Sequence, residues 1–414
     1  MPTAGGPNTL GESNLVFAYD TGDTRNSYIG QPTTNIGNNF RDFTGTSYSP
    51  DGEWTSNPTS FSKTYHSTLP TPTGPGGTLI EESGTGGYHH LSRYGGSDES
   101  GAHSLSCYIY PLVSGITDFC IGMLGDSGNN IKFNLDTRVI TYGGGISNRN
   151  AFIKDVPGWP GWLRVGANFE GRGGGWVGCL GYSSYTSYTG TAGAKKAYIT
   201  GIQYEYTTQP TPSVEGTRSA TQGLLPLVGN STIDLSNVSF DSNAQITFDG
   251  TDDSIILADP GVSSSTGFSI ELVIKPGNAS TTPMVIVPLS GGIDHYVRFN
   301  GNSTLYLRMI PAADSSVQDF ATSSTLSSSN YHHVIFTFKQ SEGGKAFYNG
   351  NLENSASANF TALDWTSIWR VGQRGNNTYF YQGELPVLKV YNRALSADEV
   401  KQNYQQYKTR FNLS

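Results

Sequence analysis

The sequence predicts an all-β protein: two tandem antiparallel β-sandwich (jelly-roll) domains with an extended N-terminal arm and a short C-terminal helix. Three observations carry that expectation. The chain has 414 residues, with Gly 52, Tyr 24 and Phe 19 and only 14% charged residues, a composition suited to short strands joined by turns that need positive φ. Apolar runs of strand length recur between Gly, Asn and Asp turns. At about 100 to 200 residues per domain, the length calls for two or three units.

Taken in order, residues 1–45 stand apart. Leu15-Val-Phe-Ala-Tyr-Asp reads as a short strand, and Ser27-Tyr-Ile-Gly-Gln-Pro-Thr-Thr-Asn-Ile as a turn-rich extended segment. Such a piece is too short for a core of its own and orders only against a partner surface. It is therefore expected to be a docking arm, with Tyr19, Tyr28, Ile29 and Asn35 making the contacts. Residues 46–206 form a first sandwich, with strands expected at Ser104–Pro111, Phe119–Leu124, Ile131–Leu135, Trp162–Phe169, Trp176–Gly181 and Lys196–Glu205. Residues 207–222, rich in Pro and Thr, read as a linker. Residues 223–414 form the second sandwich.

The last sixty residues are the most specific. Ser367-Ile-Trp-Arg-Val-Gly-Gln is strand-like. In the apolar run that follows, Leu385, Val387 and Lys389 alternate with Pro386, Leu388 and Val390 up to the turn Tyr391-Asn-Arg. Ser396, placed before Asp398 and Glu399, caps a helix of about three turns, the acids complementing the positive end of its dipole.

This closing strand, turn and helix resemble those of the laminin G-like branch of the concanavalin A-like lectin and glucanase jelly rolls. Four upstream segments are similar to that family in the same order: Phe248-Asp-Gly-Thr-Asp-Asp-Ser-Ile, Phe268-Ser-Ile-Glu-Leu-Val-Ile-Lys-Pro, Tyr331-His-His-Val-Ile-Phe-Thr-Phe and Lys345-Ala-Phe-Tyr-Asn-Gly-Asn-Leu. The arm's phrase from Tyr19 to Asn35 resembles the opening of structural proteins of tailed bacteriophages. Ile199-Thr-Gly-Ile-Gln-Tyr-Glu, followed by a proline-containing stretch to Thr217-Arg, resembles the exit of a carbohydrate-binding-module-like jelly roll common in phage virion proteins.

Several function classes are disfavoured. A net charge of -8 with a pI near 5.4 and no Lys/Arg cluster argues against nucleic acid. No stretch reaches the roughly 18 apolar residues of a membrane span, so no membrane insertion is expected. Met-Pro-Thr-Ala-Gly-Gly-Pro has neither basic region nor apolar core, so no signal peptide is expected. Cys107, Cys120 and Cys179 follow neither metal-ligand spacing nor an even disulfide set, which suits buried thiols made in a reducing cytoplasm.

Catalytic chemistry is weakly signalled. The glucanases of this fold class carry Glu-x-Asp-x-x-Glu on an inner strand, a pattern this chain lacks, and Glu81-Glu82, Asp98-Glu99 and Asp252-Asp253 are adjacent, so on a strand each pair would diverge. His89-His90 and His332-His333 diverge for the same reason, and His333 matches a packed histidine of the resembled family. That resemblance implies calcium at Asp249 and Asp252; a plain tight turn is the other reading. Tyr182, Tyr185 and Tyr188, and Tyr379 with Tyr381, sit in polar surroundings where rings serve either a sugar or a protein interface.

The expected protein is thus a non-enzymatic virion structural protein of a tailed bacteriophage (fibre, tail component or head decoration), assembled in the host cytoplasm. It would be held to other virion proteins by the arm, oligomeric with a trimer favoured, and would present its sandwiches to host surface polysaccharide. A free lectin or surface adhesin, and a glycan-degrading enzyme, are the alternatives.

Overall fold

The computed structural model describes residues 12–36, 40–44, 61–87, 89–92, 102–116, 119–123, 130–142, 150–170, 175–178, 188–194, 196–229, 231–241, 245–262, 267–277, 281–288, 295–309, 317–339, 342–356, 368–374 and 378–414. Two compact units are present. One combines residues 1–32 with 219–414, and the other is the intervening stretch 33–218. The domain order read from the sequence is therefore corrected: the sandwich of the first half is an insertion, and the expected arm is split between the units.

The C-terminal unit is a two-sheet sandwich. Its first sheet runs Ser239–Phe240, Ile246–Asp249, Gln382–Tyr391, Phe268–Pro276, His332–Lys339, Gly343–Tyr348 and Asn351–Ala356, all antiparallel neighbours. The second runs Ile233–Ser236, Ser254–Leu257, Trp369–Val371, Met284–Pro288, Tyr296–Phe299, Leu305–Met309 and Gln318–Ala321. Alternation drives Ile270, Leu272, Phe336 and Leu388 from one sheet against Ile255, Val297, Leu307 and Trp369 from the other, forming one apolar core.

The closing strand Gln382–Tyr391 is buried on both faces. Leu385, Leu388 and Val390 enter the main core, while Val387 meets Tyr407 and Phe411 of the terminal helix on the other side. That helix spans Ala397–Phe411. Glu399 N–H donates to Ser396 Oγ at 3.3 Å, Ser396 N–H donates back to the Glu399 carboxylate at 2.9 Å, and Asn412 closes the helix at φ +50°. It runs one turn beyond the expected end because Phe411 finds a buried seat.

Leu15–Asp20 is a strand as expected, but it pairs antiparallel with Val387–Tyr391 of the closing strand. Phe17 and Tyr19 are fully buried in the main core, and the Tyr19 hydroxyl donates to the Leu385 carbonyl at 3.0 Å. Tyr28 lies 4.6 Å from Phe240, and Ile29 N–H donates to the Gly223 carbonyl at 2.9 Å. In the inserted unit, Asn35 donates to the Ile202 carbonyl at 3.0 Å and accepts from Tyr204 N–H at 3.1 Å. These four residues fill their own fold and are not an arm held out to a partner; two large aromatics and a bidentate amide gain more from burial than from solvent.

The inserted unit is a second sandwich. One sheet orders Phe152–Asp155, Leu163–Glu170, Ala102–Pro111, Lys196–Glu205, Gly77–Glu82 and Phe61–His66; the other orders Ile140–Tyr142, Asn130–Phe133, Phe119–Met123, Gly175–Gly178 and His90–Ser92. Their shared core includes Leu105, Cys107, Phe119, Ile131, Val165 and Ile199. Cys107 is a buried free thiol, as expected; Cys120 is buried as well, and Cys179 lies outside the described residues.

The expected linker is held down. Glu205, fully buried, accepts from Thr211 N–H and Thr211 Oγ1 at 2.8 Å each and from Thr33 Oγ1 at 2.8 Å. Gln203 accepts from Val214 N–H at 2.7 Å, and Thr217–Arg218 pairs with Thr33–Thr34. The Gly-x-Gln-x-Glu phrase thus supplies the two side chains that fasten the proline-containing exit to its strand, so residues 211–218 belong to the sandwich.

Candidate functional site

The turn between Ile246–Asp249 and Ser254–Leu257 gathers three carboxylates. Gly250 at φ +84° reverses the chain, Thr251 N–H donates to Asp249 Oδ1 at 2.6 Å, and Asp249 N–H donates to Asp253 Oδ2 at 2.6 Å. Oxygens of Asp249, Asp252 and Asp253 all come within 4.8 Å of one another. Burial pushes Asp253 up to about 6, and the neighbouring charges of Asp249 and Asp252 add to this against the pull of the Asp249 N–H. Three acids held this close repel one another, and a cation between them removes that cost.

Asp249 and Asp252 are the two residues expected at this site. Asp253 joins them, and the sequence reading missed it because neighbours on a strand diverge, whereas these two stand in a turn, where that alternation does not hold. Gln373 follows directly on Gly372, at which a β-carbon would stand 3.2 Å from the Asp253 carbonyl. Gln373 is only 5% exposed, and its buried Oε1 has no hydrogen-bond partner among the described residues. Carboxylates plus an amide oxygen are the hard donor set that suits calcium.

The loop beside this turn leaves the sheet at Gln373 and returns at Gln382, which pairs with Asp249. It carries Arg374, bridged to Thr378, and Tyr379 at φ +55°. Tyr379 is 44% exposed, its ring 5.6 Å from the Arg374 guanidinium. Tyr381 is different. Fully buried, it donates to the carbonyls of Lys275 at 3.0 Å or Glu384 at 3.2 Å and packs on Phe248 and Phe299. The expectation that both tyrosines face a ligand is corrected for Tyr381, a core residue. Tyr182 and Tyr185 lie outside the described residues; Tyr188 pairs through its backbone with Gly87.

Sequence reasoning also missed an aromatic and cationic cluster on the far face of the second sheet. Tyr296 and Tyr306 meet at 6.0 Å, the Arg298 and Arg308 guanidinium groups lie 5.3 to 5.5 Å from both rings, and Arg308 forks onto Asp319 at 2.7 and 2.6 Å. A Tyr-x-Arg pair repeats in two neighbouring strands, at Tyr296 and at Tyr306, and that repeat was the available signal.

One further charged cluster is sealed. Glu271 is fully buried and accepts from His333 Nε2 at 2.9 Å, Tyr391 at 3.0 Å and Asn403 at 2.8 Å, while Lys389 reaches Glu12 at 2.9 Å. Burial drives Glu271 upward, but the opposing pull of Lys389, His333 and Tyr391 wins and leaves it at about 2. His333 is thus a packed histidine, as expected, and this network clamps the helix to the sheet. His332 is likewise held, between Tyr348 at 2.8 Å and the Ser327 carbonyl at 2.9 Å.

Residues 249–401 match the model of the concanavalin A-like lectin/glucanases superfamily. The C-terminal region is a concanavalin A-like jelly roll. No curated protein matches the chain. Among solved structures, this chain is similar to the binding domain of Paraclostridial Mosquitocidal Protein 1, with 19% identity, TM-score 0.39, 44% of this chain and 49% of that one. The botulinum neurotoxin type G receptor-binding domain gives 16% identity, TM-score 0.37, 45% of this chain and 49% of that one. The botulinum neurotoxin serotype D ligand-binding domain, in complex with N-acetylneuraminic acid, gives 12% identity, TM-score 0.38, 45% of this chain and 49% of that one. The chain spans about half the length of these solved structures. Among the described residues, no helix of the lectin-like domain or its neighbour is long and apolar enough to cross a membrane.

Proposed function

We propose that this chain is a non-enzymatic structural protein of a tailed-bacteriophage virion, and that its lectin-like domain holds a host-surface glycan at the aspartate rim with calcium. The observation that carries the binding part is the junction of three converging carboxylates with a loop that exposes Tyr379. Asp249, Asp252 and Asp253 would hold the ion, and the Gln373 amide oxygen suits the same role. Bound there, calcium supplies charge neutralisation and coordination positions for sugar hydroxyls. Tyr379 offers a ring face for a pyranose, and Arg374 steadies that ring.

Binding is favoured over hydrolysis by spacing. Paired glycosidase carboxylates stand about 5 to 9.5 Å apart across a cleft, whereas the rim oxygens lie within 4.8 Å, a spacing suited to a shared cation. The virion part is supported by the resemblance of the Tyr19–Asn35 phrase to phage structural proteins. Display in several copies on a particle, as a trimer for a fibre, would let weak contacts add through effective concentration.

Calorimetric titration with calcium, followed by a glycan array with calcium or EDTA, tests the rim. Calcium binding lost in Asp253→Asn, and calcium-dependent glycan capture lost in Tyr379→Ala, are expected; glycan capture indifferent to EDTA and to both variants would refute the site. Gold-labelled antibody on purified particles tests the virion part, which absence of label on every particle would overturn.

A further inference from the structure

The six-stranded sheet of the inserted unit turns one face to the core. Along Ala102–Pro111 the core takes Leu105, Cys107 and Ile109, so Tyr108 and Tyr110 stand on the opposite face. Along Lys196–Glu205, Ala197 and Ile199 point inward and Tyr198 outward. The register sets Tyr110 opposite Tyr198 and Tyr198 opposite Leu79, which brings successive β-carbons to about 5 Å. All three are half-buried, so flat apolar surface reaches solvent in a line across three strands. Buried Trp162 backs the line, its ring 5.6 Å from that of Tyr110. Gly161, at φ +84°, makes the room: a β-carbon there would lie 2.6 Å from the Tyr110 ring.

Cations flank this line. Lys154, Arg164 and Tyr108 share the adjacent row by register. The Arg164 guanidinium sits 5.6 Å from the Tyr108 ring and 5.5 Å from that of Phe152, over which Lys154 lies at 5.3 Å. Beyond the tyrosines on the other side, Lys196 stands opposite Glu81. Among the described residues of these three rows, three fixed positive charges meet one negative, in a chain whose net charge is -8.

The geometry points to a second binding face, on the inserted unit, for a linear polysaccharide that bears carboxylates. Rings set a strand apart, about 4.8 Å, offer successive stacking surfaces to the C–H faces of pyranose units, and the flanking Lys154, Arg164 and Lys196 match carboxylates along the edges of such a chain. Tyr and Arg are enriched at protein interfaces too, but Lys is depleted there, and two of the three cations here are Lys. This face is independent of the aspartate rim.

Calorimetry of the full chain with a galacturonate octamer and a hyaluronan octamer tests it, with the fully methyl-esterified galacturonate octamer as the uncharged control. At least one acidic octamer should bind, more than tenfold better than the ester. Tyr110→Ala and Tyr198→Ala should each weaken that binding at least tenfold, and exposed Lys154→Glu, which cannot disturb the core, severalfold. EDTA and Asp253→Asn should leave it unchanged, which separates this face from the rim. Failure of both acidic octamers, equal binding of the ester, indifference to Tyr198→Ala and Lys154→Glu, or loss in EDTA would each overturn the assignment.

Discussion

Glu271 shows what one residue can decide. A fully buried carboxylate survives here because His333, Tyr391 and Asn403 meet both its oxygens. Replacing it by Gln removes the charge that His333, Tyr391 and Asn403 all donate to, while Lys389 keeps Glu12, and disrupting such a buried charged network costs roughly 3–5 kcal/mol; chemical denaturation at pH 7 checks this. The pH dependence has a definite sign. Glu271 is held at about 2 in the folded state against an ordinary 4.5, so its contribution is complete above pH 4.5 and is lost as pH falls towards 2. The acid limb of the stability curve should therefore be steeper for the wild type than for Glu271→Gln. At this scale the sequence was partly legible. Asp249 and Asp252 were pointed to by the family resemblance of the Asp-Gly-Thr-Asp stretch, and both lie with Asp253 in one turn. Tyr379 and Tyr381 looked alike because each borders Phe380, and only the strand pairing of Gln382 decides which ring enters the core.

At the scale of elements, short-range patterns were readable and long-range partners were not. Alternation located strands such as Ala102–Pro111, Lys196–Glu205 and Gln382–Tyr391 but passed over Gly77–Glu82, Met284–Pro288 and Tyr296–Phe299, while Ser396 with Glu399 located the helix start. Nothing local in Leu15–Asp20 records that its partner is the last strand of the chain, because pairing across that distance leaves no trace in either segment. Tyr19 belongs to the C-terminal core, so Tyr19→Ala should lower the stability of the lectin-like unit by about 3–5 kcal/mol and leave the inserted unit's melting unchanged, as differential scanning calorimetry would show. Composition misled at residues 207–222, where Pro and Thr suggest a free linker but Glu205 and Gln203 fix the chain. Limited proteolysis should find the stretch around Thr211 protected in the wild type and cut in Glu205→Gln.

For the whole molecule, two units imply two melting transitions. Residues 33–218 begin and end in one small ladder, Thr33–Thr34 with Thr217–Arg218, so that stretch expressed by itself should fold and reproduce one transition. Calcium should raise only the other, by about 2.7 kcal/mol at a hundredfold excess over its Kd; a shift in both transitions would contradict the rim as the site. Function at this scale was the least legible, because a binding face is assembled from strands that the sequence keeps far apart. The meeting of first strand and last has a mechanical side. Leu15 pairs with Tyr391, Asn392 N–H donates to the Asn14 carbonyl, and Ser414 is tied to Asn349 at 2.8 Å. Tension applied between residue 12 and residue 414 is thus carried by a short ladder and one helix, and the inserted sandwich, entered and left at a single point, stays outside the load path.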